Sequence, residues 1–221
     1  MGFLCGGWSG FFLEVMLLSF PVGKGKAEAG GFEEPSNCRI LECPSYQVIH
    51  SQPDLEIRSY RKATWVASPP ITSFSYTKAS NAGFLELSAY IQGWNDQVAK
   101  VEMTAPVLVD VTPSTGGLCN STFVVRFYMP QKYQNAPPSS PKVDPETWPG
   151  PHYAAVRRFG GFLNDVDIPA EAAALRNSLR GSPWKAATAS EGGAGTSTYT
   201  VAGYNSPFEL IGRVNEVMFL F

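Results

Sequence analysis

Apolar and polar residues alternate through "YQVIHS" (Tyr46 to Ser51) and "LEIRSY" (Leu55 to Tyr60) on either side of Gln52-Pro53-Asp54, which predicts two strands joined by a turn. "ATWVAS" continues the sheet until Pro69-Pro70 ends it. From Ser73 to Ile91 the spacing becomes helical, with Phe84, Leu87, Ile91 and Trp94 on one stripe and Gly93 near the stop. "MTAPVLVDV" (Met103 to Val111) and "TFVVRFYMP" (Thr122 to Pro130) then read as a pair of strands joined through residues 113–120.

A loop from Met129 to Pro151 follows, and its seven prolines exclude a continuous helix or a central strand. Beyond it the order repeats. "YAAVRRFGG" is a strand, and a helix runs from about Asp167 to Arg180, with Asp165 or Asp167 as its cap and Pro169 in its first turn. Ile168, Ala172, Leu175 and Leu179 form its apolar stripe, and Gly181 with Pro183 ends it. Two last strands surround an Asn205-Ser206-Pro207 corner, which is expected to mirror Thr104-Ala105-Pro106 in the first half. The repeat predicts an α+β fold: a pseudo-twofold barrel or curled sheet carrying two helices.

Composition sets bounds on this picture. A chain of 221 residues, 44% hydrophobic, can bury one sizeable core. A formal charge of -2, with 17 basic and 19 acidic residues and no long one-signed run, argues against a nucleic-acid partner.

The N-terminus differs from the rest. "GFFLEVMLLSF", Gly10 to Phe20, is apolar but too short to span a bilayer, and small residues follow it. This outlines a secretory signal peptide cleaved between Ala27 and Gly30, with no transmembrane anchor in the mature chain, although no Lys or Arg precedes the block and Glu14 interrupts it. An organelle leader or a disordered tail is the other reading. The expected organisation is a leader over residues 1–29, a loop with Cys38 and Cys43 over 30–43, and one domain over 44–221. Cys38 and Cys43 are spaced to allow a local disulfide, and the four cysteines lack a zinc pattern. Asn120-Ser121-Thr122 is a glycosylation sequon. Together these features point to an oxidising compartment, either extracellular or the lumen of the endomembrane system.

"LEIRSYRKATWVAS", "GFLELSAYIQGWND", "KVEMTAPV", "AVRRFGGF" and "YTVAGYNSPFELIGRVNEV", in this order, resemble the SOUL/haem-binding protein family, and "CRILECPSYQVIH" is similar to its plant-type branch. The resemblance runs from about Pro44 to Phe219. It implies a distorted antiparallel β-barrel of two pseudo-symmetric halves, each carrying one α-helix. It also implies non-covalent binding of haem or a related tetrapyrrole on an apolar face beside the first helix, as carrier or buffer. The alternative is a protein-interaction module on the same barrel, with a protein partner instead of a porphyrin.

Under the resemblance, the cofactor-binding candidates are Asn81, Phe84, Leu87, Ser88 and Ile91 of the helix, Met103 at the corner and Arg213 in the last hairpin. Where one branch carries an axial histidine this chain has Ser59. Where another places basic residues it has Asn81, Ala89 and Glu209, which leaves Arg213 and Lys100 as candidate cations. His50 and His152 have no second ligand at local spacing and read as ordinary strand-end residues. Cys43-Pro44 has the form of a haem-regulatory dipeptide, but partnership with Cys38 is the stronger reading. No nucleophile elbow, HExxH, P-loop or dinucleotide fingerprint occurs, so no metal ligands or catalytic residues are assigned. Gly192-Gly193 and Gly195 read as a hairpin loop. Glu102 is the one candidate general base, set against a salt bridge to Lys100 or a solvated edge.

Overall fold

The computed structural model describes residues 31–114, 120–185 and 198–221. The leader, Cys119 and the glycine-rich "ASEGGAGTS" stretch lie outside them.

The strands are β1 (Tyr46–Gln52), β2 (Leu55–Tyr60), β3 (Ala63–Ala67), β4 (Ile71–Ser73), β5 (Val107–Thr112), β6 (Ser121–Tyr128), β7 (Asp144–Trp148), β8 (His152–Phe159), β9 (Tyr199–Gly203) and β10 (Asn215–Leu220). The helices are α1 (Tyr76–Ile91) and α2 (Asp167–Leu179). All strands pair antiparallel in one curled sheet, a half-barrel ordered β1-β2-β8-β10-β9-β5-β6-β3-β7, with β4 on β6 beside β3. Pro69-Pro70 thus interrupts the line of β3, which resumes as β4 on the same partner strand, β6.

The order is palindromic about the β9/β5 pair. In the first half β3, α1, β5 and β6 come in this order, with the short β4 inserted before α1, and in the second β8, α2, β9 and β10 do so; each set lies in the sheet as first, third, second strand. The strands that precede each set are exchanged: β2 pairs with β8 and β7 pairs with β3. β7 comes from the proline-rich loop. Its Pro145 is tolerated because β7 is an edge strand, where one amide needs no ladder partner.

One face of the sheet carries both helices over a core that includes Leu55, Ile57, Leu87, Val125, Leu175, Val217 and Phe219. Gly83 lets α1 lie close to β6, since a Cβ there would stand 2.4 Å from Val125 Cγ2. The opposite face holds a second cluster built on Trp65, Trp148, Tyr60, Ala154 and Met218. It also carries charge. Arg58 forks onto Glu216 at 2.8 and 2.8 Å and reaches Glu56 at 2.7 Å, and all three side chains are fully buried. Burial alone would raise the Glu216 pKa, but Arg58 and then Arg158 hold its carboxyl below the ordinary range. Residues 31–45 lie across this face as a strap, with the amide of Phe32 donating to Glu56 and the Cys38–Cys43 disulfide closing a short turn.

Helix boundaries differ from the expectation in two places. Ser73 ends β4, and Ser75 caps α1 by accepting from the Lys78 amide at 3.3 Å, so the helix begins at Tyr76. Asn164 satisfies the first α2 amides, accepting from Val166 at 2.9 Å and Asp167 at 2.8 Å, while Asp165 turns away to accept from the Tyr76 amide and from Ser75 Oγ of the other helix. Gly181, at φ +78°, closes α2 as a left-handed residue.

Candidate functional site

α1 presents Tyr76, Asn81 and Phe84 to a cleft whose floor is Val107 of β5 and Gly203 of β9, at the junction of the two halves. Phe162 and Leu163, after β8, form one lip; Asn205, Pro207 and Arg213, in the loop between β9 and β10, form the other. This space, about 320 Å³, adjoins a second of about 210 Å³ that shares Phe84, Val107, Gly203, Asn205 and Pro207 and is closed by Met103, Asn37, Leu41 and Glu209. Gly203 is the pinch point: a Cβ there would approach Leu163 Cδ1 to 3.1 Å. The walls are mainly aliphatic and aromatic, as a flat apolar ligand requires.

The corner that the sequence singles out is both packed and open. Ala105 and Pro106 are buried and the Thr104 hydroxyl donates to the Tyr128 carbonyl at 2.7 Å, whereas Met103 is half-exposed toward the smaller space. The two proline corners are not mates under the pseudo-twofold, because 104–107 precedes β5 whereas 205–208 follows β9. They face each other across the smaller space instead.

The candidates separate clearly. Asn81, Phe84 and Arg213 line the larger space and Met103 the smaller. Leu87 is 0% exposed in the core, so it supports the helix from beneath; Ile91 packs against the same core, and Ser88 is half-buried and lines neither space. Trp94 leaves the predicted stripe altogether: it lies past the helix end, is 82% exposed, and borders a separate hollow on the other side of α1 together with Ala89. Ala89 therefore does not join Asn81 and Glu209. Glu102 is exposed, so the enclosed general base is not formed, and among the described residues it makes no ion pair with Lys100 either. His50 contacts Gln52 at 2.9 Å on β1, and the His152 ring lies tilted against Trp148 with centroids 4.7 Å apart, where burial lowers its pKa.

Arg213 organises the upper lip. Its guanidinium donates to the carbonyls of Ser206 at 2.8 Å, Glu209 at 2.7 Å and Gly161 at 3.3 Å, and lies 4.4 Å from the Phe162 ring centroid. These hydrogen-bond partners are neutral carbonyls, and the nearest acidic influence on the guanidinium is the Glu209 carboxylate, which it does not hydrogen-bond. Burial raises the Tyr76 pKa, with Tyr199 and Asp165 adding to it, which keeps this phenol protonated. Sequence reasoning missed Asn37, Leu41, Phe162, Leu163 and Pro207. The signal for them is weak: apolar residues in "GGFL" and "SPFELIG" that fit neither strand nor helix spacing.

A family model described as SOUL heme-binding protein matches residues 41–220. The chain belongs to the SOUL heme-binding protein family. Among its relatives, the mouse protein named Heme-binding protein 2 is 34% identical over 193 residues, covering 85% of this chain and 89% of that protein. The human Heme-binding protein 2 is 32% identical over 194 residues, with the same coverage of each. Mouse Heme-binding protein 1 is 30% identical over 153 residues, covering 68% of this chain and 76% of that one. SOUL-family membership agrees with the two-half fold. Among the described residues, no group of His, Cys, Asp and Glu is placed to hold a metal ion, and no helix is long and apolar enough to cross a membrane.

Proposed function

We propose that this chain binds haem or a related tetrapyrrole without a covalent bond, in the cleft between α1 and the β9–β10 loop, and serves as a carrier or buffer rather than an enzyme. The observation that carries this reading is an open-sided apolar slot with a single guanidinium, Arg213, at its rim. Its two joined spaces, about 320 and 210 Å³, suit a planar ligand that leaves one edge in water. Phe84, Val107, Leu163 and Pro207 would hold the macrocycle and Arg213 a carboxylate. The donor set suits the ring better than its iron, because among the described residues no His or Cys lines the slot, Tyr76 stays protonated, and Met103 is a weak ligand in the adjoining space. Titration with ferric haem and with metal-free protoporphyrin, followed by visible absorption, tests this. Saturation by both at one equivalent is the expected result, and saturation by neither overturns the reading.

Three features support a secretory compartment: the leader-like N-terminus, the Cys38–Cys43 pair, and the exposed Asn120 at the head of β6. We assign the chain to the secretory pathway. Mass spectrometry of the mature protein should find its first residue between positions 27 and 30 and a glycan on Asn120; an intact unmodified N-terminus would place it in the cytoplasm or an organelle.

A protein-interaction role has its own support in Phe208 and Ile211, 90% and 92% exposed on the cleft lip. It becomes the leading reading if neither porphyrin saturates.

A further inference from the structure

The strap and the cleft share a polar joint. Asn37 sits in the 3-10 turn Ser36–Arg39, immediately before Cys38 of the Cys38–Cys43 disulfide, and its Nδ2 donates to Glu209 at 3.1 and 3.3 Å. Glu209 also accepts from Asn205 Nδ2 at 2.7 Å and from the Ser206 amide at 3.1 Å, and Asn205 Nδ2 reaches back to Asn37 Oδ1 at 3.3 Å. These contacts tie the N-terminal strap to the β9–β10 loop across some 170 residues of chain. Asn37 and Asn205 both line the smaller space beside the slot. The rest of the joint is inside the loop itself, so among the described residues Asn37, next to the disulfide, is the part of it supplied by the strap.

The geometry points to Asn37 as a positioning residue for the tetrapyrrole cleft, held in register by the Cys38–Cys43 disulfide, so that reducing this bond releases the β9–β10 loop and weakens ligand binding. The identity of the ligand rests on the proposed function above, whereas the tie between turn and loop does not. In the reduction the bond between the two sulfurs breaks and each sulfur ends as a thiol. The two electrons and two protons come from a dithiol, which closes into its own disulfide. Both cysteines are half-buried and border the hollow under the strap, which gives such a reductant access. Free of the cross-link, the turn samples many conformations, and Asn37 loses the fixed position from which it meets Glu209. Coupling of this kind is reciprocal: a ligand that binds the oxidised form better must also protect the disulfide by the same factor.

Two measurements separate this inference from the one it rests on. The first is amide hydrogen exchange across residues 204–214 of the ligand-free mature protein, oxidised and then reduced by a dithiol. Exchange there should accelerate on reduction, and in the oxidised Asn37→Ala variant, while β5 and β6 keep their protection. The second is protoporphyrin affinity of both redox forms, which should differ by about tenfold. That ratio corresponds to a disulfide potential about 30 mV more negative with porphyrin bound. Faster loop exchange without porphyrin binding in either form would keep the clamp and remove the tetrapyrrole reading. Equal exchange in both redox forms, or equal porphyrin affinity, would overturn the clamp, and a Cys38→Ser/Cys43→Ser variant that stays folded gives the same reading without a reductant.

Discussion

Arg58 and Glu216, 158 positions apart, meet as a bidentate pair with both side chains fully buried beneath the strap. Neither charge would be tolerated there alone, because desolvation exceeds what one imperfect contact returns. Arg58→Ala should therefore destabilise the protein by about 3–5 kcal/mol, the range for breaking a buried pair. Arg58→Lys keeps the charge without the fork and should fall between. Urea unfolding would show this as a lower midpoint with an unchanged slope.

Gly83 tests the contact between α1 and the sheet. Alanine there gains about 1 kcal/mol of helix propensity. Its Cβ, however, would stand 2.4 and 2.8 Å from the Cγ2 and Cβ of Val125, a buried β-branched residue that cannot swing aside. The expected net result is a loss of about 1–2 kcal/mol from overpacking, read by thermal unfolding.

Asn81 is exposed at the cleft edge, opposite Arg213 across the slot's lining. Asn81→Lys adds a second cation for a porphyrin carboxylate. Affinity for protoporphyrin should rise by about two- to fivefold at low salt, with the gain fading as salt screens it. An unchanged affinity and salt dependence would mean that carboxylates do not sit at this edge.

Glu209 gives the cleft a pH dependence. Hydrogen bonds from Asn205, from the Ser206 amide and from Asn37, with the Arg213 charge, hold its carboxyl below the ordinary 4.5. A released loop binds that proton more readily than the folded one, so the stabilisation is complete above pH 4.5 and is lost as pH falls through the lower folded value. Loop exchange over 204–214 should be flat from pH 7 to 5, after correction for the intrinsic rate, and then rise. In Glu209→Gln the step should vanish.

Much of the scaffold is legible in the chain because it is local. Two-residue alternation marks β2 and β6, helical spacing marks α2 with Ile168, Ala172, Leu175 and Leu179 buried, and Gly181 marks its end. Errors occur where a distant partner decides. Asp165 looks like the cap of its own helix but serves α1, because the loop before α2 brings it to Tyr76. Trp94 fits the α1 stripe by count alone, yet the helix has already ended at Ile91.

The sequence by itself determined both helices and the strands other than β4 and β7, the repeated order around each helix, and the family, since each depends on spacing within a few turns of chain or on ordered motifs. Only the tertiary structure decided that β2 and β7 exchange halves, that the two proline corners face each other, and that Asn37 reaches Glu209. Those facts depend on which distant segments share a sheet edge, and side-chain periodicity is identical for any partner that edge might take.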